Sequence, residues 1–303
     1  MSYEDLGLED YEIVDQTLII DGDIIIYRPC CIFNEDDDHS RMMIAKLINK
    51  KIDDLMHAAN CNKYIMFVTT KYNFRDQLVD DYKGNRKDVE RPVNLAWAKK
   101  WATEKLNTEY VKGLEADDLL GIYMAEDTVL WSLDKDLRQL AGKHLDDKTQ
   151  QIKVITNEGE LIGGGKKVYF TGMVGFYYQC LIGDSTDHIV GCGKRVTATY
   201  KSGAKKGQEY IKRQGIGSSA AVKLLTKAAA ENPDRVLEAC LEVVVEEYKK
   251  LGGSWKEHLE TQANLLWMVR ELDGNKIKRW TVDGRDEWFD LVKGVVIHDS
   301  EAT

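Results

Sequence analysis

Along the chain, short runs of uninterrupted apolar residues alternate with stretches in which apolar positions recur every three or four residues. The first run, Thr17-Leu18-Ile19-Ile20, stops at an acid, Asp21. A run of that length closed by a polar residue predicts a buried parallel strand with Asp21 at its carboxyl end. Tyr64 to Thr70 and Val129 to Leu133 repeat the pattern, and Ile152 to Ile155 is a shorter version. Between these, Ile44, Leu47, Ile48, Ile52, Leu55 and Met56 fall at helical spacing and predict an amphipathic helix over 41–58. Pro92 suits the first position of a helix running through Trp97, Trp101 and Leu106. Further helices are expected from Glu115, around Leu137 to Ala141, over 169–182, after Ser218, over 234–250 and over 255–272. A less regular tail follows around Trp280 and Trp288. Strands alternating with helices imply an α/β fold with a mostly parallel central sheet flanked by helices. No internal repeat is visible.

Composition narrows the class. At 303 residues the chain can form one large domain or two small ones. Its 6 cysteines show no C-x-x-C pair, which argues against zinc and against a disulfide framework. They fit small core residues in a reducing compartment, so a cytoplasmic location is expected. The N-terminus carries Glu4, Asp5, Glu9 and Asp10, the wrong sign for a targeting segment. No apolar run is long enough to span a bilayer. A net charge of −9 argues at first sight against nucleic acid. A cluster of carboxylates around metal ions would produce the same balance, so the distribution of charge matters more than its sum.

The acids are not scattered. Asp21 ends a strand; Glu115, Asp117 and Asp118 open a helix; Asp134 and Asp136 follow a strand; Asp184 and Asp187 follow a helix. In a parallel sheet these positions converge on one rim. Asp184 and Asp187, three apart after Gly183, face the same way as on a helical turn. So many carboxylates without a histidine or cysteine partner suit hard cations, Mg²⁺ or Mn²⁺. Two such ions clamp a phosphodiester, one activating water and the other steadying the leaving oxygen. The plain alternative for each acid is a helix cap or a solvated turn, the reading preferred for Asp36-Asp37-Asp38. Basic residues interleaved with aromatics, Lys71, Tyr72, Phe74, Arg75 and then Tyr82-Lys83-Gly84-Asn85-Arg86-Lys87, suit stacking on bases while cations hold phosphates. Gly215-Ile216-Gly217-Ser218 is a tight turn feeding a helix, whose first amides form a natural phosphate site.

Taken in order, Asp21, Tyr82-Lys83-Gly84-Asn85-Arg86, Glu115-Ala116-Asp117-Asp118, Asp134-Lys135-Asp136, Gly183-Asp184-Ser185-Thr186-Asp187 and Gly215-Ile216-Gly217 resemble the 5′-nuclease (flap endonuclease) superfamily. The likeness covers roughly residues 17 to 230 and is closest to the 5′→3′ exonucleases of T-seven-type short-tailed phages. Lys201 to Glu209 looks like a segment particular to that branch.

The resemblance implies a PIN-like nuclease core over 1–182, with a helical arch at about 71–92. It implies a helical DNA-binding region over 183–303, built on a helix–three-turn–helix and carrying a basic insert at 194–214. It implies two Mg²⁺ or Mn²⁺ ions. The first would lie on Asp21, Glu115, Asp117 and Asp118, and the second on Asp134, Asp136, Asp184 and Asp187. Lys83 and Arg86 would act on the scissile phosphate. Arg75, Tyr82, Gly215, Ile216, Gly217, Ser218, Lys205 and Lys206 would contact DNA, and a K⁺ ion could sit at the Gly215–Gly217 turn. The substrates implied are duplex DNA with 5′ ends or flaps, with RNA–DNA hybrids as an extension. The activity implied is 5′→3′ hydrolysis in phage replication and recombination, within the host cytoplasm.

Two positions depart from the family pattern. Thr70 stands where relatives carry an acid, leaving Asp23 or Asp76 as replacements from another direction. The stretch between Gly193 and Gly215 separates two halves of the DNA-binding motif that are elsewhere contiguous, and its cations suggest an added phosphate-contacting loop. Two other readings compete. A haloacid-dehalogenase-type phosphatase shares Asp21-Gly22-Asp23, a Thr after the second strand and Gly183-Asp184, but leaves the E-A-D-D acids without a role. A DNA-binding relative with a decayed nuclease site rests on Thr70 alone.

Overall fold

The computed structural model describes residues 15–86, 89–164 and 167–291. The N-terminal acids Glu4, Asp5, Glu9 and Asp10, and Lys87 of the basic segment, lie outside these residues. The chain opens with β1 (Thr17–Asp21), α1 (Gly22–Ile32), α2 (Asp38–Ala59) and β2 (Lys63–Phe67). Then come α3 (Leu95–Lys105), β3 (Thr108–Glu109), α4 (Ala116–Ile122), β4 (Thr128–Trp131), β5 (Gly142–Asp146) and β6 (Gln151–Ile155). These strands form a six-stranded sheet in the order β3-β2-β1-β4-β5-β6. All neighbours run parallel except β5 and β6. The expected α/β architecture is present.

β1 is buried on both faces, as an all-apolar strand should be. Leu18 and Ile20 pack with α1, α2 and α3, while Ile19 packs with α4 and with Met268 and Val269 from far along the chain. Gly22 follows β1 directly because the chain passes tight against β2. A Cβ there would sit 2.6 Å from the Phe67 carbonyl oxygen.

The second half begins with a small hairpin, β7 (Leu161–Gly164) and β8 (Lys167–Phe170), and α5 (Gly172–Ile182). A longer hairpin, β9 (Gly193–Thr199) and β10 (Glu209–Gly215), precedes α6 (Ser218–Glu231), α7 (Val236–Lys249) and α8 (Trp255–Leu266). A three-stranded sheet of β11 (Leu272–Asp273), β12 (Lys276–Arg279) and β13 (Glu287–Asp290) completes the described chain.

Several expectations change. The second half is not wholly helical, because the basic insert is a β-hairpin and the tail around Trp280 and Trp288 belongs to the small sheet. Among the described residues, 71–92 contains short 3₁₀ turns at Phe74–Gln77 and Gly84–Arg86 rather than an α-helical arch. Pro92 precedes its helix, which Asn94 begins at its N-cap position. Leu137 sits in a 3₁₀ turn rather than a helix, and the polar β5 had no apolar run to announce it. A boundary at 182 cuts through a shared core, since Met268, Val269, Ile277 and Leu291 pack with Ile19 and Phe67.

Candidate active site

Strand order reverses at β1, which lies between β2 and β4. The crevice beyond the carboxyl ends at such a switch point is where open α/β sheets bind ligands. Asp21 sits there, 3% exposed, and accepts a hydrogen bond from the Ile24 amide as the N-cap of α1. Ser132 Oγ, beyond β4, donates to Asp21 Oδ2 at 2.7 Å and accepts from the Asp134 amide at 3.0 Å. Asp134 Oδ1 in turn accepts from the Asp136 amide at 2.9 Å. One chain of bonds thus ties the first acid to the D-K-D turn. Ser132 carried no signal in the sequence.

The E-A-D-D acids divide their work. Glu115 and Asp118 form the capping box of α4. Asp118 is fully buried and takes a bidentate pair from Arg75, both bonds 2.7 Å, plus the amides of Glu115 and Val269. Both its oxygens are thus engaged by protein donors in this arrangement. Glu115 accepts from Arg75, from Tyr82 Oη at 2.9 Å and from Lys83 Nζ at 2.5 Å. Asp117 alone is left over, with no hydrogen bond or ion pair to any described residue.

The Gly183–Gly191 segment is a closed loop. Asp184 and Ile189 exchange backbone bonds of 2.9 and 2.7 Å. Gln262 Oε1 accepts from the Val190 and Gly191 amides, both at 2.9 Å. Gly183 and Gly191 both have positive φ, 71° and 67°, and a Cβ on Gly191 would lie 2.3 Å from the Gly183 nitrogen. Only glycine fits this neck. Asp184, held by the Thr186 amide, meets Lys135 Nζ at 2.5 Å, and the same ammonium is 3.2 Å from Asp136. Gln179 Nε2 donates at 2.6 Å to the same Asp136 oxygen, Oδ1. Asp187 pairs with Arg86 at 2.5 Å and lies 3.7 Å from Lys83.

Charge shows how the acids see one another. Burial, with Asp23 and Asp134 adding repulsion, raises the Asp21 carboxyl to about 7. Burial and then Asp21, Asp134 and Glu115 push Asp117 well above the carboxylate range. Burial and Asp134 lift Asp136 to about 7 despite Lys135. Burial opposes ionisation of Asp184, but Lys135 outweighs it and holds that group low. Burial likewise opposes the Lys83 ammonium, and Glu115 and Asp187 outweigh it, keeping the lysine charged.

Two kinds of acid cluster therefore coexist. Asp21, Asp117 and Asp134 repel one another with no cation between them. Asp136 and Asp184 already share the Lys135 ammonium. Among the described residues, no three carboxylate, histidine or cysteine side chains close into a finished coordinating group. Uncompensated like charges keep apart, and lysines fill gaps elsewhere. The first set still has the donor chemistry of a hard divalent cation: buried Asp21 and half-buried Asp117 and Asp134, carboxylates with no ion pair to a cationic side chain among the described residues. Asp23 is no substitute for the missing strand-two acid. It pairs with Lys99 at 2.6 Å and accepts from the Thr69 amide.

The residues expected at DNA are placed unevenly. Arg75, 1% exposed, is walled in by Asp118, Glu115 and the Leu265 and Trp267 carbonyls, so it cannot reach a solvent-borne ligand. Tyr82 is buried with its hydroxyl on Glu115. Lys205 and Lys206 are exposed at the tip of the β9–β10 hairpin, and Gly215, Ile216, Gly217 and Ser218 lead into α6. The Ile216 carbonyl accepts from Arg213 Nη1 at 2.8 Å. Arg213 also binds the Val190 and Leu181 carbonyls, so it is a strut rather than a DNA contact.

Residues 16–166 match the family described as 5′–3′ exonuclease, N-terminal resolvase-like domain. A 5′–3′ exonuclease of Buchnera aphidicola subsp. Schizaphis graminum is 25% identical over 197 residues, 58% of this chain and 65% of that protein. The match thus spans less than two thirds of that relative's length. A solved structure of T5 5′-exonuclease, in a lysine-to-alanine mutant, aligns over 84% of this chain and all of its own. Its TM-score is 0.41 and its identity 13%, too loose a likeness to bear on chemistry. The family match spans the strands that carry Asp21, the E-A-D-D helix and the D-K-D turn, and the chain belongs to the 5′-nuclease superfamily.

Proposed function

We propose that this chain is a metal-dependent 5′–3′ exonuclease and flap endonuclease. It would hydrolyse phosphodiesters near 5′ ends of duplex DNA, RNA–DNA hybrids included, and release 5′-phosphorylated nucleotides. The branch it resembles places that activity in phage replication and recombination, in the host cytoplasm. The observation that carries the reading is the set of mutually repelling carboxylates at the sheet's switch point, buried Asp21 with half-buried Asp117 and Asp134, with Lys83 and Arg86 beside it.

Asp21, Asp117 and Asp134 would hold a first Mg²⁺ or Mn²⁺, with Glu115 next to them. Asp136, Asp184 and Asp187 would hold a second once the Lys135 ammonium withdraws. Divalent cations there would neutralise phosphate charge and lower the pKa of bound water. The protein's own groups do the rest. Ser132 fixes the Asp21 carboxylate toward the crevice. Lys83 exchanges Glu115 for a phosphate oxygen, and Arg86 exchanges Asp187, so each brings positive charge to the developing negative charge. The first-turn amides of α6, from Ser218, face duplex phosphate, with Arg213 bracing the turn where a K⁺ ion was expected. Against the phosphatase alternative, the Asp23 carboxylate that would serve as its acid is tied to Lys99.

A 5′-labelled duplex incubated with Mg²⁺, and in parallel with EDTA, tests the proposal. Nucleotide release should occur only with the metal and should vanish in Asp184→Ala. Wild-type rates in that variant would sink the assignment.

A further inference from the structure

The β9–β10 hairpin stands out from a chain of net charge −9. Residues 193–215 hold 7 lysines and arginines against a single acid, Glu209. The hairpin packs chiefly on itself. Its register separates the cations by function. Arg195 pairs directly with Arg213, so both point to one face. Arg195 grips Asp81 and the His188 carbonyl, and Arg213 binds the Val190, Leu181 and Ile216 carbonyls. That face is the root by which the ribbon is fixed to the body.

The opposite face carries Lys194 and, paired across from Val196, Lys212. Tyr200 and Tyr210 close its outer end with ring centroids 4.3 Å apart, and Lys205 lies over the Tyr200 ring. None of these lysines has an ion-pair partner among the described residues. Unpaired cations beside an ordered aromatic pair, on an element pinned next to the loop bearing Lys83, form a surface complementary to a polyanion.

We propose that this face of the ribbon is a second duplex-binding surface, lying along the nucleic acid away from the cleaved end. Strands of 7 residues at ~3.3 Å each reach over ~23 Å, about seven base-pair steps. A two-stranded ribbon fits the major groove of a duplex and has no equivalent seat on a single strand. The assignment rests on the duplex-binding part of the nuclease reading, which brings a duplex to this side of the molecule.

The test is fluorescence-anisotropy binding of a duplex of about 20 base pairs, titrated with salt in Ca²⁺, for wild type and a Lys194→Ala/Lys205→Ala/Lys212→Ala variant. The exposed lysines can be truncated without disturbing the root. Each lost phosphate contact should lower the slope of log K against log salt by ~0.9, so the variant's slope should fall by nearly three. Duplex KM should rise at least tenfold while kcat and single-strand affinity stay unchanged. An unchanged slope, or an equal loss of single-strand affinity, overturns the proposal. Wild-type protein that binds duplex with the expected slope yet releases no nucleotides in Mg²⁺ would instead defeat the nuclease reading and leave the ribbon standing.

Discussion

Replacing Asp21 by asparagine should stabilise the metal-free protein at alkaline pH while destroying its response to Mg²⁺. Burial and the neighbouring Asp23 and Asp134 carry the Asp21 carboxyl from the ordinary 3.8 to about 7 in the folded state. At 1.36 kcal/mol per pH unit, that rise corresponds to ~4 kcal/mol of folding free energy forfeited once the group ionises. The direction follows from proton counting. Between about pH 4 and pH 7 the folded chain holds a proton that the unfolded chain has lost, so stability falls as pH rises through this window. Below it the group contributes no difference, and above it the whole cost is present. Asparagine keeps the shape and carries no charge: its carbonyl can still accept from the Ile24 amide, while its NH₂ stands where Oδ2 accepted from Ser132, whose hydroxyl must turn to accept instead. Some of those bonds weaken without the anion, leaving an expected net gain of ~1–3 kcal/mol, several degrees in Tm. Thermal melts followed by circular dichroism in EDTA, at about pH 5 and about pH 8, measure this. Asp21→Asn should melt above wild type at the higher pH and level with it or below at the lower. Millimolar Mg²⁺ should raise the wild-type Tm and leave the variant's where it was. Equal destabilisation at both pH values would show that Asp21 is an ordinary cap whose charge costs nothing.

Lys83→Ala should lower single-turnover cleavage by ~10²–10³ while changing duplex affinity less than threefold, because the ammonium acts where charge develops; an affinity loss matching the rate loss would refute that role. Arg75→Met should cost ~3–5 kcal/mol in urea unfolding by stranding the buried Asp118 carboxylate, and Arg75→Met/Asp118→Leu should recover much of it. Gly191→Ala, at φ 67° with a Cβ 2.3 Å from the Gly183 nitrogen, should cut both Tm and turnover, whereas Gly203→Ala, with nothing within 4 Å, should leave turnover intact.

Residue types and their order announced the acids well, and their division of labour poorly. Asp21 at a strand end and the glycine-flanked Asp184 were legible because local pattern alone places them. The surroundings of Asp118 were not, because what engages its carboxylate is Arg75, 43 residues away, and an amide at Val269, 151 residues away. Arg75 and Tyr82 looked like DNA contacts because basic and aromatic residues in a loop usually face solvent. Here the loop folds inward, and Glu115 and Asp118 draw their polar ends into the interior. Lys135 was passed over between two acids, yet it is the counterion of Asp136 and Asp184. The basic insert was legible as a cationic stretch, but its two faces depend on a strand register that composition does not carry. β5 was hidden because Gly142, Lys143 and His144, half-buried on a strand between β4 and the edge strand β6, form no apolar run.

The return of the chain near Leu265 to Val269 has a consequence for how the molecule comes into being. The Leu265 and Trp267 carbonyls complete the cage around Arg75, the Val269 amide completes that around Asp118, and Gln139 waits for the Leu266 carbonyl and the Met268 amide. During synthesis every carboxylate of the crevice emerges from the ribosome long before these partners do. The nascent chain therefore carries all the carboxylates of the proposed metal site without the floor that holds Glu115 and Lys83 in place. On the nuclease reading proposed above, competence to cleave would arrive only when the segment Leu265 to Val269 has folded back, so a product ending before it would keep the acids and lose their support.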